Sequence, residues 1–126
     1  MLHLVKPLGF DMDDAKLRRA GLDYHDLAHV MVHESLDDAL AQVPGRVWAL
    51  TGHANAMYSD VSYADGDGLL FGRESVGLSE EAMSHPRVKK RIRIHMREGV
   101  RSLNLANSAS IVLYEAWRQL GFPGGV

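Results

Sequence analysis

The chain has 126 residues, 46% hydrophobic and 24% charged, close to the soluble globular average, so it carries apolar material for the core of one domain and does not read as disordered. It has no cysteine, which excludes disulfide frameworks, thiolate zinc sites and cysteine nucleophiles. A formal net charge of −2 excludes a wholly basic nucleic-acid coat and leaves local patches open.

Leu2, Leu4 and Val5 predict a first strand, stopped by Pro7 and Gly9. Asp13 to Ala20 predicts a short helix with acids first, Arg18 and Arg19 last and Gly21 as the stop, an order that suits the helix dipole. Val30 to Val32 is a strand candidate. Ser35 is placed to cap a helix running through Gln42, with Asp37 and Asp38 in its first turn and Pro44–Gly45 beyond its end. Arg46 to Thr51 and Leu69 to Phe71 predict two further strands, each running into a glycine, Gly52 and Gly72. Ser79 to Ser84 predicts a short helix closed by Pro86, and Arg91 to Met96 a strand. Asn104 to Leu120 predicts the longest helix, with Leu105, Ala109, Val112, Leu113, Ala116 and Leu120 at helical spacing and Gly121 and Pro123 as terminators. Strands alternating with helices predict an α/β fold, a mostly parallel sheet flanked by helices, in a single domain over 1–126. No apolar run approaches the roughly 20 residues that span a bilayer. The start, MLHLVKPLGF, does not have a signal-peptide layout, so the expected compartment is the cytoplasm.

Charge is unevenly spread. Asp11 to Asp38 holds eight acids and three basic residues; Arg87 to Arg101 holds seven basic residues and one acid, half of the chain's Lys and Arg. Such a cluster suits a phosphate backbone, and equally a solvated strand edge kept soluble by charge. The histidines His25, His29 and His33 are spaced by four, which would align metal ligands on a helix. The strand reading of Val30 to Val32 instead places His25 in a loop, and no metal is expected. Asp65-Gly66-Asp67-Gly68 lacks the later ligands of a calcium loop and reads as a turn. Trp117, at helical spacing, reads as core or interface rather than as a base-stacking platform.

The chemistry is expected beyond the carboxyl ends of the strands, where ligands bind in α/β sheets. Three loops qualify: Gly52 to Asn55, Gly72 to Leu78 and Arg97 to Asn104. In FGRESVGL, Gly72 and Gly77 allow close approach to the backbone and Glu74 lies between them. Alone, this pattern equally describes a tight turn with a solvated glutamate. In RSLNLAN, Ser102 or Asn104 suits a helix N-cap, and the same residues suit hydrogen bonds to a neutral ligand. Neither a phosphate-binding G-x-x-x-x-G-K-[ST] nor a dinucleotide G-x-G-x-x-G after a strand is present, which leaves a generic nucleotide-binding domain unsupported.

FGRESVGL, IRIHM and RSLNLANSASIVLYEAWRQLGFPG, in that order, resemble the motifs of the SPOUT-class RNA 2′-O-methyltransferases, the SpoU/TrmH superfamily. KLRRAGLDYH, WALT and YADGD are similar to the small subgroup that methylates the wobble cytidine or uridine of tRNA. The resemblance covers essentially the whole chain. It implies a parallel α/β sheet whose C-terminal part forms a trefoil knot, S-adenosylmethionine as cofactor, a homodimer, and methyl transfer to a ribose 2′-hydroxyl of tRNA. Carried over, Leu50, Gly72, Ile94 and Ser102 line the cofactor pocket; Glu74 and Asn104 support the loops or the substrate ribose; Tyr114 lies near the reaction centre. The family also begins with a strand and helix bearing N-x-G-N-x-x-R, whose arginine assists deprotonation of the hydroxyl. This chain starts just past that unit and holds no such motif, so an N-terminally shortened domain is expected. Arg18, Arg19, Arg73 and Arg101 do not match it, though Arg73 and Arg101 sit in the expected loops. A non-catalytic dimer that binds cofactor or RNA is the alternative. His95 stands where the subgroup usually has proline.

Overall fold

The computed structural model describes residues 2–5, 30–72, 77–96 and 105–125. The expected helix over Asp13 to Ala20 lies outside them. Contacts divide the chain into two compact units, Met1–Gln42 and Val43–Val126.

In the first unit, β1 (Leu2–Val5) and β2 (Val30–His33) pair in parallel, with His3 opposite Met31 and Val5 opposite His33. α1 (Leu36–Leu40) follows. Its cap is the expected one: the Ser35 hydroxyl accepts the Asp38 N–H at 3.2 Å, filling one of the donors that a helix start leaves open. The helix stops short of Gln42, and Ala39 and Leu40 are its buried residues.

The second unit is built on a four-stranded sheet in the order β4-β6-β3-β5, formed by β3 (Val47–Leu50), β4 (Ala56–Met57), β5 (Gly68–Leu70) and β6 (Val88–Arg93). Every pairing is parallel. β3 lies between β6 and β5 and is apolar throughout, as a strand covered on both faces must be; Val47, Trp48 and Ala49 are all buried. α2 (Glu80–Met83) is capped by the Ser79 hydroxyl, which accepts the Ala82 N–H at 3.1 Å. α3 (Leu105–Gln119) is the long C-terminal helix.

Other bounds also differ from the sequence reading, β5 running over Gly68–Leu70 in place of Leu69 to Phe71. β6 begins at Val88, three residues before the expected Arg91, and ends before Ile94. Lys89 and Lys90 are exposed while belonging to the ladder, and a register irregularity beside Val47 accommodates the extra residue. Ile94 still packs against the core, although the ladder with β4 ends at Arg93. The two-residue β4 has no apolar run to announce it and is held by pairing with β6.

The core of this unit is Trp48, Tyr63, Ile92 and Val112, with Leu50, Leu69, Ile94 and Ala116 packed around it. Tyr63 meets the Trp48 ring edge-on at 5.7 Å. Asp67 ties the start of β3 to the turn before β5. Its carboxylate accepts the Arg46 N–H at 2.9 Å, the Ala64 N–H at 2.9 Å and the Trp48 indole N–H at 3.0 Å. The Asp65–Gly66 segment is a turn, with Gly66 at φ 89°. At the far end of α3, Gln119 accepts the Tyr63 N–H and donates to the Val61 carbonyl, both at 2.9 Å, fastening the helix to the 58–67 loop.

Candidate functional site

Parallel pairing puts the carboxyl ends of β6, β3 and β5 at one edge of the sheet. Leu50 ends β3 in register with Ile92; Gly72 lies two residues past the end of β5, and Ile94 just past the end of β6. Three of the expected pocket residues, Leu50, Gly72 and Ile94, are thus brought together along one edge. Leu50 and Ile94 are half-buried and contribute their side chains to the core. Their backbones therefore form the edge itself. The loop after β3 turns sharply: Thr51 N–H donates to the Ile92 carbonyl at 2.9 Å, and the Thr51 hydroxyl accepts the His53 N–H at 3.3 Å.

Gly72 is the tightest position. A Cβ there would overlap the backbone of Gly77 and Leu78. The two ends of the glycine loop are therefore pressed together, and no side chain separates them. Gly77 closes the loop at φ 70°, a conformation that favours glycine.

Glu74, Ser102 and Asn104 lie outside the described residues, as do Arg73 and Arg101. Tyr114 is described. It stands on α3, 61% exposed, with its ring edge-on to Trp117 at 5.5 Å. It does not belong to the buried cluster that Leu50 and Ile94 pack against. Trp117 is half-buried; its indole donates to the Pro123 carbonyl at 2.9 Å and its ring meets Phe122 at 4.9 Å, so it fixes the chain after α3.

Sequence reasoning missed Asp67 and Gln119, which hold the frame behind this edge. Burial pushes the Asp67 carboxyl up, but the bonds from Trp48, Ala64 and Arg46 together hold it below the usual carboxylate range. Burial, with the nearby Glu115 carboxylate and Tyr58, raises the Tyr63 phenol well above its ordinary value, so it stays a neutral donor to the Tyr58 carbonyl. The signal for Asp67 was the D-G-D-G run, read only as a turn; its partners Arg46 and Trp48 lie 21 and 19 residues away, beyond any local pattern.

In the first unit, His33 is buried and its Nε2 lies 2.8 Å from His3 Nδ1, the rings stacked at 5.1 Å. Burial and the neighbouring His33 ring lower the His3 pKa below its ordinary 6.5. Among the described residues no cluster of three or more His, Asp or Glu is placed to hold a metal ion, and no helix is long and apolar enough to cross a membrane.

The parallel sheet, with three strand ends and a glycine-closed loop at one edge, defines an α/β domain. The model of the SpoU rRNA methylase family matches residues 1–114, and the chain belongs to that family. It is 48% identical over 126 residues to a tRNA (cytidine(34)-2′-O)-methyltransferase of Methylovorus glucosotrophus, covering 99% of this chain and 82% of that one. A solved structure of a putative RNA methyltransferase from Bacillus anthracis superposes with a TM-score of 0.82 at 37% identity, covering 98% of this chain and 80% of that one. Another, described as giving insights into the 2-OH methylation of C/U34 on tRNA, has a TM-score of 0.84 at 42% identity, covering 95% and 78%.

Proposed function

We propose that this chain is an S-adenosylmethionine-dependent methyltransferase acting on the ribose 2′-hydroxyl of the wobble nucleotide of tRNA. The observation that carries the reading is the Gly72 cradle at the strand ends, where a Cβ would overlap the Gly77–Leu78 backbone, in a chain that shares 48% of its residues with a tRNA (cytidine(34)-2′-O)-methyltransferase. Closely packed backbone free of bulky side chains suits a nucleoside-bearing cofactor, because main-chain N–H and C=O groups can read an adenine edge. The residues assigned to hold it are Leu50, Gly72, Ile94 and Ser102. When bound, S-adenosylmethionine supplies a methyl group activated on a sulfonium sulfur.

The protein's work is alignment and proton handling. A ribose hydroxyl is a poor nucleophile until its proton is taken, so it must be held in line and next to an acceptor. Glu74 and Asn104 are assigned to the glycine loop and the substrate ribose, and Tyr114 to the neighbourhood of the reacting atoms. The domain is assigned as a single SPOUT unit over 1–126 with a C-terminal trefoil knot, working in the cytoplasm. Its assembly is assigned as a homodimer. The exposed apolar side chains Leu113 and Tyr114 on α3, both at 61%, and Leu120 at 39% and Phe122 at 46% directly after it, support that assignment.

Calorimetric titration with S-adenosylhomocysteine tests the reading. One site per chain is the expected result. A folded chain that binds neither this product nor S-adenosylmethionine would overturn it.

A further inference from the structure

Five arginines lie among the described residues, and four of them are held. Arg46 donates to the Ser62 carbonyl at 2.8 Å and pairs with Asp67. Arg87 donates to the carbonyls of Val43 and Gly45 at 2.8 and 2.7 Å. Arg91 pairs with Glu80 at 2.7 Å and reaches the Ser84 hydroxyl at 3.0 Å. Arg118 forks onto Glu115 at 2.8 and 2.9 Å. Arg93 is the exception: its Nε is buried and has no hydrogen-bond partner.

The placement of Arg93 makes that exception informative. It is the last residue of β6, at the ligand end of the sheet and one residue before Ile94. Its backbone is fixed by pairing with Met57 and by the Tyr58 N–H, which donates to its carbonyl at 2.8 Å. Strand alternation sends it to the face opposite Ile92 and Ile94, the side where Arg91 meets α2. Glu80 neutralises Arg91 there, and no ion pair among the described residues neutralises Arg93. Leaving a buried charged donor unfilled costs stability. A guanidinium whose Nε–H is unfilled, on a backbone held at the strand ends, is suited to an oxyanion, whose two oxygens accept Nε–H and a terminal N–H side by side. The residue as a whole is half-buried.

We propose that Arg93 forms an oxyanion subsite, taking an anionic group of a bound reactant. The identity of the reactants rests on the methyltransferase reading. Two of their groups have the required chemistry: the cofactor's α-carboxylate and the phosphodiester beside the target ribose.

The direct test follows the Arg93 Nε–H resonance by 15N NMR in the full chain, assigned by its loss in Arg93→Lys. Inorganic phosphate, S-adenosylhomocysteine and an anticodon stem-loop RNA are added in turn. The resonance is expected to move with phosphate and with at least one reactant. In Arg93→Gln, a carboxylate subsite weakens S-adenosylhomocysteine about tenfold or more and leaves 5′-methylthioadenosine, which lacks the carboxylate, unchanged. A phosphodiester subsite instead leaves S-adenosylhomocysteine unchanged and raises KM for tRNA about tenfold with kcat little altered. Arg93→Lys, which keeps the charge and loses Nε, should recover part of either loss and serves if the glutamine variant does not fold. A resonance that moves with none of the three ligands, with variants altered only in Tm, would overturn the subsite. Methyl transfer with an unmoved resonance would defeat the subsite alone. A phosphate-responsive resonance in a chain that transfers no methyl would keep the subsite and defeat the methyltransferase reading.

Discussion

Gly72 and the His3–His33 pair are the residues where single atoms matter most. Alanine at position 72 places a methyl group on the Gly77–Leu78 backbone, which must then move away from the strand ends. Overpacking of this kind costs about 1–3 kcal/mol, and here it falls on Gly72, itself one of the residues assigned to the cofactor. Gly72→Ala is therefore expected to lower Tm and to weaken S-adenosylhomocysteine by about tenfold or more by calorimetry. The histidine pair makes a pH prediction. The folded-state pKa of His3 is lowered, so between that value and the ordinary 6.5 the unfolded chain binds more protons. Stability is then fully present above 6.5 and falls as pH drops through 6.5 toward the folded pKa. Tm measured from pH 8 to pH 5 should show this decline, and His3→Gln should flatten it. The place of Gly72 beside the strand ends was legible because a glycine closing an apolar run has a local signature. Arg93 was not, because an unpaired guanidinium is a property of what surrounds it in space. Glu74, Ser102 and Asn104 rest on resemblance.

At the scale of elements, β6 and the helix caps divide the structural work. Ile92 is fully buried between β3, β4 and α3, and Ile92→Ala is expected to cost about 2–5 kcal/mol in urea unfolding, from lost burial and the cavity left behind. Ser79→Ala, which removes the cap of a four-residue helix, is expected to cost about 1 kcal/mol. The Ser35 cap was readable because Ser followed by acids within one turn is a local arrangement; Ser79, read only as the start of a helix, caps α2 in the same way. Strand boundaries were less readable. The Lys89–Lys90 pair looks like a loop until the partner strand is known, and β4 exists only because β6 offers it hydrogen bonds. The parallel topology followed from the alternation of elements, but the order β4-β6-β3-β5, which brings three strand ends to one edge, is set by non-local pairing.

For the whole molecule, charge and apolar surface point to different roles. Half of the Lys and Arg lie in Arg87 to Arg101, yet Arg87 and Arg91 are spent on internal bonds, so the basic cluster is less available to a polyanion than its sequence suggests. The exposed Leu113 and Tyr114 form the surface assigned to a second copy. Sedimentation equilibrium should give twice the 14.0 kDa chain mass, and Leu113→Glu should return it to that of one chain. Methyl transfer to the wobble ribose is the activity proposed for this chain. It is tested most directly by incubating the purified chain with S-adenosylmethionine and unmodified tRNA, then locating the added methyl by nuclease digestion and mass spectrometry. One methyl on the ribose of nucleotide 34 is the expected result. A methyl on a base or at another nucleotide, or no transfer by a folded chain that binds S-adenosylhomocysteine, would contradict it.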